Sequence, residues 1–293
     1  MFELIGIPPQ ALFGQLLLGL INGAFYAMLS LGLAVIFGML NVINFTHGAQ
    51  YMMGAFAAWL MLGLLDIPFW ASLVLAPIIV GLFGVLLERL LLKRIYHLDH
   101  LYGFLLTFGL ALVIEGLFQW RWGSSGAPYP SPIPGGYNLG FMFLPTYRGF
   151  VVLAALVICL ATWYGIERTR LGAYLRAATE NPTLVRAFGI NVPRLITLTY
   201  GLGVGLAALA GVLAAPIQQV SPLMGTNLVL VVFAVVVIGG MGSIMGSIVT
   251  GFGLGLVEGL TKVFYPPASN TIIFVVMALV LLVKPAGLFG QTK

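Results

Sequence analysis

Apolar runs of roughly 20 residues follow one another along almost the whole sequence, each about as long as a helix that crosses the hydrocarbon core of a bilayer. They do not alternate with a period of two, as the strands of a membrane barrel would. The chain therefore reads as an all-α polytopic membrane protein. Hydrophobic residues make up 60% of it and charged residues 7%, whereas soluble domains carry about 25% charged residues. A water-soluble core could not enclose so much apolar surface. The net charge of +5 sits in connections near the membrane, where it fits orientation and lipid headgroups better than nucleic acid. The one cysteine, Cys159, lies in an apolar run and has no partner for an internal disulfide. The opening MFELIGIPPQ lacks a basic region, and no clear small-residue cleavage site follows, so a removable signal peptide is not expected.

Charge places the connections. Residues 89–94 carry Arg89, Lys93 and Arg94. Residues 168–194 carry Arg168, Arg170, Arg176, Arg186 and Arg194, five of the thirteen Lys and Arg residues. The positive-inside rule puts both on the cytoplasmic side, and the two spans between them, 102–120 and 150–166, agree with that. Residues 121–149 are rich in Gly, Pro, Ser and Tyr and poor in cations, and read as an outer loop with Trp120, Trp122, Tyr129 and Tyr147 at the interface. The run 12–40 is long for one span and short for two, so it is either one long helix or a pair broken near Ser30. Other spans are expected at 51–65, 70–92, 195–215, 228–238 and 272–283, with one more ending near Leu260. The uncharged stretch 218–227 is expected outside. Eight spans are plain, and two more depend on breaks at Ser30 and at 239–246. Counted as ten, the spans leave both termini in the cytoplasm. The chain reads as one transmembrane domain over 1–293.

The stretch 168–194 has its own folding signals. Asn181 can cap a helix, Pro182 suits the first helical position, and Gly189 can end the helix in a left-handed turn. A short helix over about 182–188 is expected, with apolar Leu184, Val185, Ala187 and Phe188 beside Arg186. An ordinary basic loop explains the arginines but neither the punctuation nor the apolar side chains, which want a groove. The helix reads as a handle by which another protein moves the spans.

No catalytic constellation is present. His47, His97 and His100 are not spaced with cysteines or acids as metal ligands are, and no GxxxxGK[ST] occurs. Gly239, Gly240, Gly242 and Gly246 lie between apolar spans without a lysine, so they read as helix packing and not as a phosphate loop. Gly201 and Gly205 belong to a second small-residue stripe. Asn41, Asn44, Thr46, His47 and Gln50 gather donors and acceptors at a span boundary. Unwound polar backbone is tolerated at membrane depth where it lines a cavity, and a neutral polar set suits a zwitterionic or amide solute. A plain turn capping two helices is the competing reading. Asn22 adds an amide to the first run. Glu115 and Glu258 sit inside apolar runs, where an unpaired carboxylate is costly. Each is either functional or close enough to a helix end to reach water.

Three stretches carry a resemblance: NVINFTHGAQYMMGAF at 41–56, RAATENPTLVRAFGINVPRL at 176–195, and GGMGSIMGSIVTGFGLGLVEGL at 239–260 with the terminal KPAGLFG. In order and spacing they resemble the permease subunits of branched-chain amino acid ABC importers, of the LivH type. Related permeases for urea and short amides share the same stretches. The resemblance implies a bacterial inner-membrane subunit that pairs with a second permease, similar or identical. It also implies two cytoplasmic ATPase subunits and a periplasmic solute-binding protein. ATP and magnesium would sit on the ATPases, with no cofactor on this chain. The family's coupling helix maps onto 181–189, with Arg176, Glu180 and Arg186 close to the ATPase. Asn22, Asn44, His47, Gln50, Glu115 and Glu258 stand as pathway candidates. An ion-driven secondary transporter is the alternative and would need Glu115 and Glu258 as ion sites. A membrane enzyme lacks any acid, nucleophile or metal set.

Overall fold

The computed structural model describes residues 8–40 and 44–290. The first five helices are α1 (Pro9–Leu40), α2 (Thr46–Leu65), α3 (Phe69–Leu90), α4 (His100–Trp122) and α5 (Thr146–Glu167). Two short helices follow, α6 (Arg170–Glu180) and α7 (Pro182–Ala187). The chain then forms α8 (Val192–Ala214), α9 (Thr226–Gly239), α10 (Ile244–Phe264) and α11 (Ile272–Val283). A small antiparallel hairpin, β1 (Gly136–Asn138) and β2 (Phe143–Pro145), folds the long connection between α4 and α5. Among the described residues seven helices are long and apolar enough to cross a membrane, and α9 and α11 are shorter apolar helices. The protein is a multi-pass, all-α membrane protein.

Helix α1 runs through Ser30 without a break. The Ser30 hydroxyl donates back to the Ala27 carbonyl at 3.1 Å, within its own helix, and lies 3.4 Å from the Ser247 carbonyl of α10. The glycines of α1 are points of close approach. A Cβ on Gly23 would stand 3.0 Å from the Cα of Phe252, and one on Gly38 would stand 3.2 Å from the Cα of Gly242. At ~1.5 Å per residue α1 is about 48 Å long, so it outreaches a hydrocarbon core of about 30 Å.

Two faces can be named from contacts. The basic face carries the α3–α4 and α5–α8 connections. The start of α1 lies on the other face, where the Phe13 ring meets that of Phe141 beside the hairpin at 5.8 Å. Its far end, near Gly38, lines a cleft with Glu167, Arg176 and Gly242 on the basic face. The C-terminal segment returns to that same face, with Leu288 N–H donating to the Ile238 carbonyl at 2.7 Å. The break expected at Ser30 is therefore absent among the described residues, and these contacts put the start of α1 and the segment around Leu288 on opposite faces.

The stretch 218–227 also differs from expectation. Val220 pairs with Ala127 of the outer connection through two hydrogen bonds of 2.9 Å. The chain then turns back into the layer. Gly225 packs on Gly48 of α2, and Thr226 hydrogen-bonds Glu115, well inside α4. Helix α9 therefore begins partway through the layer. Its 14 residues span only about 21 Å, so non-helical chain covers the rest of the crossing.

Helices α1 and α8 are the most enclosed, while α3, α4 and α5 present apolar faces outward. Small residues set the closeness of the inner contacts: Gly54 of α2 lies directly on Ala208 of α8, and a Cβ on Gly32 of α1 would stand 2.6 Å from the Gly203 carbonyl. Helix α6 forms where the sequence suggests plain loop. Its buried residues Gly172, Leu175 and Ala178 recur every third position, which gives one face to dock.

Candidate coupling surface and intramembrane polar sites

The α5–α8 connection is a chain of capped helices. Asn181 Oδ1 accepts from Leu184 N at 2.9 Å and starts α7, with Pro182 at its first position. Gly189 then adopts φ 82°, a left-handed conformation that costs a β-carbon residue energy, and its N–H reaches the Arg186 carbonyl at 2.9 Å. Asn191 Oδ1 caps α8 by accepting from Arg194 N at 3.1 Å. Arg176 holds α6 to the end of α5, with Nη1 3.3 Å from both the Ile166 carbonyl and a Glu167 carboxylate oxygen. Val185 alone of α7 turns inward. Leu184 is 54% exposed and Phe188 77% exposed, with Arg186 and Glu180 also facing out. Two apolar side chains and a cation thus project from a capped element on the basic face.

The polar residues inside the layer form separate clusters. Asn44, Thr46 and Gln50 are fully buried in one network. Asn44 Nδ2 donates to Gln50 Oε1 at 3.1 Å, Gln50 Nε2 donates to Thr46 Oγ1 at 3.0 Å and lies 3.4 Å from the Tyr200 hydroxyl, and Thr46 Oγ1 bonds Asn44 Oδ1. Thr46 and Gln50 sit in the first turns of α2 and not in an unwound loop. Asn41 lies outside the described residues. His47 points elsewhere: its Nε2 donates to the Leu29 carbonyl of α1 at 2.9 Å, in space that Gly32 leaves open.

Glu258 is buried between α10 and α1. Tyr26 donates to it at 2.6 Å, Asn22 Nδ2 lies 3.4 Å away, and Lys262, one turn along α10, forms an ion pair with it. Glu115 takes the Thr226 hydroxyl. Both carboxylates are therefore held by protein groups. A third buried carboxylate, Glu88, is not among the sequence candidates, although it too stands in an apolar run. It accepts from Thr197 at 2.7 Å and from Tyr96 at 3.0 Å. Burial first, and then the Glu88 charge, pushes the Tyr96 hydroxyl well above the ordinary tyrosine range, which keeps it a donor. Tyr200 is absent from the candidates as well, since a tyrosine in a small-residue stripe carries no local sign of its partners.

A family model described as branched-chain amino acid transport system / permease component matches residues 15–282. The chain belongs to this family. It is 27% identical over 294 residues to the high-affinity branched-chain amino acid transport system permease protein LivH of Escherichia coli (strain K12), covering 95% of this chain and 96% of the relative. With BraD of Pseudomonas aeruginosa, a high-affinity branched-chain amino acid transport system permease protein, it is 28% identical at the same coverage. The ribose import permease protein RbsC of Escherichia coli is 35% identical over 107 residues, 33% of either chain. No solved structure matches.

In this permease the glycine clusters divide by role. A Cβ on Gly201 would stand 2.6 Å from a Val85 methyl, and one on Gly205 would stand 3.4 Å from the Pro77 carbonyl, so both are contacts of α8 with α3. Gly239 and Gly246 pack on each other across the α9–α10 turn. Gly240 and Gly242 are turn residues, with φ of 102° and 85°, and Gly242 also packs on Gly38 of α1. The permease is a transport subunit and not an enzyme.

Proposed function

We propose that this chain is the transmembrane subunit of a binding-protein-dependent ABC importer for branched-chain amino acids in a bacterial inner membrane. On this reading the whole chain acts as one permease domain, with the basic face cytoplasmic. Two ATPase subunits, which carry ATP and magnesium, act on it from that face, beside a second permease, and a periplasmic binding protein delivers solute. The observation that carries the reading is the coupling surface. Leu184, Arg186 and Phe188 project from the connection that joins α5 to α8 through α6 and the capped α7, with the turn 188–191 leading into α8.

ATP closes the two ATPases, whose grooves hold α7. Arg176 ties α6 to the end of α5, and the Asn191 cap ties the connection to α8, so a shift of α7 moves both spans. ATP need favour one arrangement by only a few kcal/mol to change which side the path faces. The capture of Glu115 and Glu258 by neighbouring side chains disfavours their use as ion sites of a gradient-driven carrier.

The test is purification in mild detergent from native membranes, followed by reconstitution with the binding protein. Two ATPases and a second permease should come along, and leucine uptake should require ATP. A chain that purifies alone in several detergents, or uptake that survives without ATP and collapses with an ionophore, defeats the reading. Titrating the binding protein with leucine and with urea separates amino acid from amide.

A further inference from the structure

The connection 216–225 and the start of α9 carry polar groups to the middle of the layer on an exposed surface. Gln218, Gln219 and Ser221 line the descent, and Thr226 and Asn227 stand exposed at its foot. No hydrogen bond to the Asn227 side chain is present among the described residues. The depth follows from α4. Thr226 bonds Glu115, seven residues short of Trp122, which places it about 10 Å below that end of the helix. Gly225 lies on Gly48, only two residues into α2. Exposed polar side chains and non-helical backbone at this depth cannot face acyl chains, because nothing there would take their hydrogen bonds.

Below them the surface changes character. Phe45 stacks on Phe233 at 4.5 Å and meets Phe104 and Phe108 edge-on at 4.8 and 5.9 Å. Phe233 is about 9 Å, under two turns, beyond Asn227 along α9. The seam between α4 and α9 is thus polar from the outer side to mid-layer and aromatic from there toward the basic face.

We infer that this seam is one wall of the transport path, hydrated down to Asn227 and shut below by the four phenylalanines, with a second permease chain as the opposite wall. The inference rests on the permease reading and adds the face on which the path runs. The single chain supplies only this wall. A lipid could cover the flanking Leu112, Val113 and Leu230 but not the strip between them.

Cysteine accessibility tests it, and the one native cysteine, Cys159, is buried. Asn227→Cys is placed in the assembled transporter and treated with a charged, membrane-impermeant methanethiosulfonate, which reacts with a thiolate and so needs water. Leu82→Cys, on the apolar outer face of α3, is the reference. Labelling at Asn227→Cys at least tenfold faster than at Leu82→Cys is expected. Leu223→Cys, higher on the same descent, repeats the measurement if the first variant assembles poorly. Rates equal to the reference at both positions overturn the inference, since a lipid-covered or dry protein face would give that result. Co-purifying ATPase scores assembly separately. Absence of the ATPase from the unsubstituted transporter counts against the permease reading, while an assembled but unlabelled seam counts against the path.

Discussion

Phe188→Ala is the sharpest probe of the proposed coupling surface, because the side chain contributes almost nothing to the permease's own packing. It is 77% exposed, and a phenylalanine buries roughly 200 Å² when fully enclosed. About 150 Å² is therefore available to a partner, worth at most ~4 kcal/mol at about 25 cal/mol per Å². The alanine methyl keeps part of that, and a groove rarely covers a whole side chain. The expected loss is roughly 2–3 kcal/mol, in the range of an interface hot spot and equal to about 30- to 150-fold in affinity. The assay is titration of the purified ATPase subunit onto the permease in nanodiscs, with thermal unfolding of the permease alone as control. ATPase affinity should fall by that factor and the melting temperature should hold. Affinity changed less than threefold, or a permease destabilised to the same extent as its binding, would refute the argument that Phe188 enters a partner's groove.

Arg186→Glu reverses an exposed charge on the same helix. It should leave membrane insertion intact while separating ATP hydrolysis from uptake, and unchanged uptake in membrane vesicles would count against the handle. Lys262→Met removes the cation of the buried Glu258 pair, a loss worth about 3–5 kcal/mol for a fully enclosed pair and less here because Lys262 is a third exposed. The melting temperature should drop, and adding Glu258→Gln should restore most of it; a double variant no better than the single one contradicts the pairing. Gln50→Leu takes the acceptor from the Asn44 Nδ2 amide and a donor from Thr46 and Tyr200, while Thr46 keeps its bond to Asn44, at about 1–3 kcal/mol for the buried amide left without a partner. A drop of several degrees on thermal unfolding in detergent is expected, and an unchanged midpoint would mean that water already fills the network.

Features that depend only on neighbouring residues are legible in the sequence. The bounds of α7 follow from Asn181, Pro182 and Gly189, because capping and positive φ are decided within a few residues. Leu184 and Phe188 are recognisable as unpartnered for the same reason: so short a helix has no room to bury them all. Depth and pairing are not legible. Asn44, His47 and Gln50 look like one polar segment, yet the helical turn sends His47 to α1 and the other two toward Tyr200. Asn22 and Glu258 meet across 236 residues of sequence, a distance over which no local pattern carries information.

That the protein lies in a membrane, which of its connections are basic, and where the short helix after Asn181 starts and stops all follow from the residues alone. Hydropathy, charge and capping are sums over short windows, and each has one physical outcome. That α1 is unbroken, that 218–227 turns back into the layer, and that polar groups stand exposed at mid-depth emerges only once the helices are packed. A glycine or serine in an apolar run reads the same whether it ends a helix or admits a neighbour. The contact it makes with Ser247, Gly242 or Gly203 settles which, and those contacts exist only when distant helices are packed together.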